Sequence, residues 1–391
     1  MAAAPPAGAQ GAGAAARTST AQSAAVRSTA WQSAIDSFRL RFRADVAEDD
    51  VGGITAAVVV GDRMVWAEGF GWADRDRHIP AGVETIYRIG SISKSFTAVA
   101  LMQLVDQGTL TLDQPVARVL PQVEGLAEPR AGAPAVTFRH LASHTAGIIR
   151  EPALEDAAEG PIEEWERKVL ASIPATRFDT MPGARYAYSN IGFGVLGLAL
   201  SRAAGTEFRD LVTRNIFERL GMAHSSFVVP HEDLRHLAVG YVNRRDGSID
   251  AERPTLEHRG RGYKVPNGGI YSTVGDLARF IAGMTGAAGD ALLPLESRLE
   301  MMRMQTPGSD RSGYGLGFQV RTGSNGRRLV GHGGSVAGYT AYLVFEPESG
   351  IGVILLRNYS SGRTNLGSAA TGLLEALVEA RSSRVPPYRP M

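Results

Sequence analysis

The sequence predicts a mixed α/β fold of the α+β sandwich kind: one antiparallel sheet built from the N- and C-terminal parts of the chain and flanked by helices, with a mostly helical region inserted between them. Three observations predict it. Two strand-like runs, Ile54–Val60 and Met64–Trp72, flank the hairpin signal Gly61-Asp62 near the N-terminus. Short strand-like runs return only after residue 310. The long stretch between reads in helical periodicity and loops. With 391 residues, 44% of them hydrophobic, the chain can bury a full core.

Residues 1–28 are dominated by small and polar side chains, with Arg17 and Arg27 and no acid, and read as a disordered low-complexity tail. Trp31, Ile35, Phe38, Phe42 and Val46 then recur at helical spacing and lead into the hairpin. A helix beginning at about Gly90 presents Phe96, Val99, Met102 and Val105 and stops at Gly108. In the middle region Leu211, Val212, Ile216 and Leu220 end at Gly221, and Thr273–Asp276 reads as a capping box. Strands are expected at Leu316–Arg321, Leu329–Gly331, Tyr339–Phe345 and Ile351–Leu356, with turns at Asn325-Gly326 and Ser349-Gly350. Leu366–Ala380 reads as a closing helix. These boundaries give one domain over 29–383, with sheet parts at about 29–89 and 310–383 and a helical insertion at about 90–309. A short tail, 384–391, follows. A cleft is expected where the insertion meets the sheet.

A net charge of +1, from 41 basic and 40 acidic residues, gives no whole-molecule attraction to nucleic acid or to an acidic membrane. The absence of cysteine excludes disulfides, thiolate metal sites and a cysteine nucleophile, and fits either redox compartment. No apolar run reaches membrane-spanning length, and the N-terminal tail lacks the apolar core of a secretory signal.

Ser91-Ile92-Ser93-Lys94 places one of only three lysines three residues after a serine. The other basic side chains are arginines, which hold their proton too tightly to act as bases. On a helix, positions i and i+3 share a face, so Lys94 can reach the Ser91 hydroxyl. Tyr188-Ser189-Asn190 sets a phenol and an amide just before an apolar run; by itself it also fits a buried tyrosine at a helix start. His332-Gly333-Gly334-Ser335 follows a predicted strand, and its small residues let a ligand approach the backbone; by itself it also fits a glycine-rich turn.

In this chain order, Ser-x-x-Lys, Tyr-x-Asn and His-x-Gly resemble the penicillin-recognising serine hydrolases, specifically the class C β-lactamase-like group that includes D,D-peptidases, D-aminopeptidases and family VIII esterases. The resemblance spans about residues 30–382 and extends to Thr137–Gly147, Asn267–Ser272 and Tyr314–Phe318. It implies a β-lactamase/transpeptidase-like fold, a small ester, amide or lactam substrate, no cofactor, and a secreted or periplasmic setting.

It also implies roles. Ser91 would attack an acyl carbonyl while Lys94 and Tyr188, their pKa values shifted by each other, by partial burial and by the helix N-terminus, share the removal of its proton. Tyr188 would protonate the leaving group. Backbone N–H groups of Ser91 and Ser335, beside Gly334, would hold the oxyanion, and Asn190 would orient Lys94 and the substrate carbonyl. His332 and Gly333 stand where many β-lactamases carry lysine and threonine, which supply a cation and a hydroxyl for a substrate carboxylate. That departure favours an esterase or amidase with small-acyl or D-amino-acid-type substrates. A β-lactamase, a D,D-peptidase and a penicillin-binding sensor that does not turn over are the alternatives, and the oligomeric state is left open.

Other motifs are weaker. Gly333–Ala337 nearly spells a nucleophile elbow, but no histidine or aspartate follows Ser335 to complete that triad. Gly192-Phe193-Gly194-Val195-Leu196-Gly197 matches the dinucleotide fingerprint without its preceding strand, and reads as close helix packing. Neither His231/His236 nor His140/His144 makes a convincing metal pair. One arginine between Arg244 and Lys264 is a candidate for binding a substrate carboxylate in place of the group missing at Gly333.

Overall fold

In a computed structural model of the chain, residues 11–127, 132–308, 311–324 and 326–382 are described. The expected hairpin forms from β1 (Gly53–Val60) and β2 (Arg63–Asp74), with β3 (Ile79–Pro80) at the edge. The C-terminal part supplies β4 (Ser312–Tyr314), β5 (Gln319–Thr322), β6 (Arg328–Val336), β7 (Tyr339–Glu346) and β8 (Ile351–Arg357). These eight strands form one sheet in the order β3-β2-β1-β8-β7-β6-β5-β4, with every neighbouring pair antiparallel. The two ends of the chain meet at β1 and β8, where Ile54 lies opposite Arg357 and Val60 opposite Ile351.

Alternation along the strands decides what covers each face. Ile54, Ala56, Val58, Val353 and Leu355 point to one side, under α1 (Gly11–Asp49) and the C-terminal helix Leu366–Ser382. Ala57, Val59, Ile354 and Leu356 point to the other, under α2 (Ser93–Asp106), α3 (Asn190–Ala204) and α4 (Val274–Thr285) of the inserted region. The C-terminal helix is α5.

The helix α1 runs upstream to Gly11, through a segment whose small-residue composition reads as disordered. Its many alanines are strong helix formers, which accounts for the difference. Residues 1–10, Asn325 and the expected tail 384–391 lie outside the described residues. A second difference falls at Leu316–Arg321. The alternation of Leu316, Phe318 and Val320 imitates a strand, yet Gly317 takes a φ of 73° and the strand begins only at Gln319. The turn packs on α2: Ser95 Oγ donates to the Gly317 carbonyl at 2.7 Å, and Gly317 N donates to the Ala142 carbonyl at 3.0 Å. At Thr273 only half of the capping box forms. Thr273 Oγ accepts from Asp276 N, while the Asp276 carboxylate accepts from His224 N and Ser225 Oγ.

The glycines of 192–197 have a packing reason. A Cβ on Gly197 would sit 2.3 Å from Pro266 Cγ, and one on Gly194 3.0 Å from the Tyr263 carbonyl, so α3 presses on the 263–266 backbone. Among the described residues no helix is long and apolar enough to cross a membrane.

Candidate active site

The site is assembled where the edge of β6 meets the start of α2. β6 pairs with β5 only over Arg328–Gly331, so beyond that point it runs instead along Ile89–Ser91. The approach leaves no room for side chains. A Cβ on Gly334 would fall 1.9 Å from the Ile89 carbonyl oxygen, and one on Gly90, whose φ is 52°, would fall 2.7 Å from Ser335 N. Glycine at these two positions is what brings Ser335 beside Ser91.

Gly90–Ile92 form a single 3-10 turn that feeds α2, and the expected i, i+3 geometry follows. Lys94 Nζ lies 3.1 Å from Ser91 Oγ and donates to the Asn267 carbonyl at 3.0 Å. The lysine is fully buried, and burial pushes its amine well below the ordinary 10.5, opposed by Glu151 and assisted by Arg150 and Lys264. A neutral amine carries the lone pair that a base requires.

Tyr188 shares a hydrogen bond with Ser91, and Lys94 Nζ lies 4.9 Å from the centroid of its ring. Burial raises the phenol above its usual 10, with the Ser91 bond and Arg150 pulling the other way. Of the causes expected for the pair, burial is the largest for both: desolvation lowers the amine and raises the phenol, favouring the uncharged form of each.

The segment that places Tyr188 is Thr137–Gly147. Thr137 and His140 cap the short helix Phe138–Ala142 reciprocally, and His144 follows in the left-handed region with φ 58°. The His144 carbonyl accepts from Ala187 N at 2.7 Å, and its Nδ1 accepts from Ser189 N at 3.1 Å. The imidazole lies against the Tyr188 ring with centroids 4.1 Å apart. Ser189 Oγ then caps α3 by accepting from Gly192 N.

Asn190 lies beside Ser91, but Nδ2 donates to Glu151 Oε1 at 2.6 Å, and Lys94 takes its orientation from Asn267. Asn267 Nδ2 in turn donates to the Asn190 carbonyl at 3.0 Å. The Oδ1 of Asn190 is buried without a partner.

His332 is buried, its ring 6.5 Å from that of Tyr188. Its Nδ1 faces the Gly333 carbonyl at 2.6 Å and its Nε2 faces the Tyr314 hydroxyl at 2.8 Å. That pattern assigns the proton to Nδ1 and the acceptor role to Nε2. Burial, with Lys94 adding to it, lowers the imidazole to about 3, so it is neutral at any physiological pH. Gly333 lies on the opposite face of the strand, where an added Cβ would meet the Tyr342 ring at 3.2 Å.

A cavity of about 330 Å³ opens at Ser91. Its walls include Asn190, Asn267, Gly268 and Ser335, together with Arg88, Arg261 and Lys264. A separate cavity of about 380 Å³ lies between Tyr186, Tyr314 and Tyr342 and does not include Ser91 in its lining. Thus Ser91, Lys94, Tyr188, Asn190 and Ser335 are brought together, Gly334 shapes the contact, and His332 and Gly333 stay outside the cavity lining. Sequence reasoning gave no role to Glu151, Asn267, Tyr314 or Arg88. Asn267 and Tyr314 stood inside stretches already singled out; nothing local marked the other two.

A sequence model of the family described as Beta-lactamase matches residues 38–377. The chain belongs to the Beta-lactamase family. Members of this family are serine hydrolases. Protein flp of Staphylococcus aureus (strain N315) is 22% identical over 318 residues, covering 81% of this chain and 61% of flp. This chain therefore matches about three fifths of that relative's length. The D-alanyl-D-alanine-carboxypeptidase/endopeptidase AmpH of Escherichia coli (strain K12) is 24% identical over 343 residues, 82% of this chain and 85% of AmpH. Among solved structures, the octameric penicillin-binding protein homologue from Pyrococcus abyssi aligns with a TM-score of 0.73 and 29% identity, over 88% of this chain and 76% of the other.

Proposed function

We propose that this protein is an esterase or amidase that works through an acyl-enzyme on Ser91. The carrying observation is a desolvated Lys94 amine 3.1 Å from a serine hydroxyl at the mouth of a cavity. The Ser91 proton passes to neutral Lys94 as Oγ adds to the acyl carbon, and the oxyanion lies between the N–H groups of Ser91 and Ser335. Lys94 returns the proton through Tyr188, whose high pKa keeps it a donor, to the departing oxygen or nitrogen. Water then cleaves the acyl-enzyme by the reverse path.

Two features support an ester or amide over a β-lactam substrate. His332 carries no charge where many β-lactamases carry lysine, and Gly333 brings no hydroxyl. The unpaired Oδ1 of Asn190 suits a substrate N–H donor, which supports amides with an acylamino or amino group near the scissile carbonyl.

The test is intact-mass spectrometry during exposure to short-chain 4-nitrophenyl esters, D-amino-acid amides and penicillins. Ester and amide substrates are expected to give a transient adduct on Ser91 with multiple turnovers, lost in Ser91→Ala and reduced about 10²-fold or more in Tyr188→Phe. A stable penicillin adduct with no turnover of any ester or amide would point to a sensor instead.

A further inference from the structure

The wall of the cavity beside Ser91 carries three cations, Arg88, Arg261 and Lys264, against two carboxylates, Glu159 and Glu257. Arg88 and Arg261 both form part of its wall, with only 2% and 4% of their surfaces exposed. Arg88 Nη1 donates to Glu257 at 2.9 Å, but its Nε is buried with no acceptor. Arg261 has no ion pair with a carboxylate among the described residues. It donates to the Gly268 carbonyl at 3.1 Å and to the Tyr271 hydroxyl at 2.5 Å. Burial, with the nearby Arg88 charge, pulls the Arg261 guanidinium down to about 10, so it remains a cation at neutral pH. Lys264, also in the wall, lies 4.0 Å from Glu151.

A buried guanidinium held only by a carbonyl and a phenol is costly to keep, and a carboxylate is the partner that offsets this cost best. The position of the cavity decides which part of the substrate carries that carboxylate. The leaving group must reach the Tyr188 hydroxyl, and Tyr188 does not line this cavity, whereas Ser91, Asn190 and Ser335 do. The cavity thus receives the acyl side.

We infer that Arg261 and Arg88 form a carboxylate-binding subsite for the acyl group, so that the preferred substrates are esters or amides whose acyl moiety ends in a second carboxylate. This rests on the acyl-enzyme reading of Ser91. It places the compensating arginine expected between Arg244 and Lys264 at residue 261, on the acyl side.

The experiment compares 4-nitrophenyl hydrogen adipate, which is anionic, with its neutral methyl ester. The wild type is expected to favour the anionic ester by about tenfold or more in kcat/KM, chiefly through KM. Arg261→Met and Arg88→Met should each collapse that ratio toward unity, and Arg261→Lys should retain part of it. The ratio is read because it is insensitive to a general loss of activity. A carboxylate moved to the leaving group, as in 4-carboxyphenyl acetate against 4-acetylphenyl acetate, should give no comparable preference.

A second arm needs no catalysis. Adipate should bind calorimetrically to Ser91→Ala, more tightly than 1,6-hexanediol, and about tenfold more weakly when Arg261→Met is added. A wild-type ratio near unity, a ratio untouched by both methionine variants, an equal preference on the leaving-group side, or adipate binding no better than the diol would each overturn the subsite. Failure of either ester to acylate Ser91 would instead strike the hydrolase reading, and adipate binding would still judge the subsite.

Discussion

Replacing Lys94 by methionine is expected to abolish activity and to stabilise the protein at neutral pH. The amine is fully buried and burial pushes its pKa well below 10.5, so the folded protein favours the uncharged form while the unfolded chain is protonated. At 1.4 kcal/mol per pH unit, keeping an amine of free pKa near 10.4 neutral at pH 7 costs up to about 5 kcal/mol. Methionine fills a similar volume without that cost. It removes the donor to the Asn267 carbonyl, and leaving such a buried acceptor unsatisfied costs about 1–3 kcal/mol. The net gain is about 2 kcal/mol, or about 3 °C in Tm for a domain of this size. Because the folded pKa lies below the unfolded one, the unfolded state binds the extra proton and wild-type stability rises with pH until 10.5. The advantage of Lys94→Met should therefore shrink as pH climbs toward 10.5 and reverse near it. Thermal and urea unfolding of both proteins across this range measures the difference. A methionine variant less stable than wild type at pH 7, by an amount independent of pH, would show that the lysine is a buried cation and sink its role as base.

Three further outcomes are expected. Gly334→Ala should cut kcat/KM by about 10²-fold or more, because a Cβ placed 1.9 Å from the Ile89 carbonyl must push Ser335 away from Ser91; unchanged turnover would disprove the backbone oxyanion site. His332 is neutral down to about 3, so its contribution to stability is constant above 6.5 and is lost progressively as pH falls from 6.5 to about 3. His332→Gln should flatten the acid unfolding curve in that window, and identical curves would contradict a buried neutral imidazole. The pH profile of kcat/KM should have its acid limb well below 10.5, from Lys94, and its alkaline limb above 10, from Tyr188, with the alkaline limb missing in Tyr188→Phe. A rate still climbing through 10.5 would mean an ordinary lysine.

Local spacing made part of this site legible. The i, i+3 relation of Ser91 and Lys94 and the strand alternation at both chain ends are encoded within a few residues, so the Ser91–Lys94 contact and the two-ended sheet could be read directly. What escaped is carried by contacts distant in sequence. Asn267 reaches Lys94 across 173 positions, Glu151 reaches Asn190 across 39, and Arg88 reaches Glu257 across 169. No spacing rule links such residues. The strand expected at Leu316–Arg321 failed for a related reason: its alternation is real, but Gly317 is fixed by packing on α2, a tertiary demand that overrides the local pattern.

Desolvation then does the chemical work at the centre and sets the limits around it. In the proposed reaction, the burial that lowers Lys94 and raises Tyr188 supplies a base and an acid, and the same burial holds His332 neutral beside them. A cation at 332 would place a positive charge beside the Lys94 amine. By repulsion it would lower the amine further, while supplying an anion anchor on the leaving-group side. With that anchor neutral, the buried cations that line Ser91's cavity are Arg88 and Arg261, so in the proposed subsite the charge that selects a substrate lies on the acyl side.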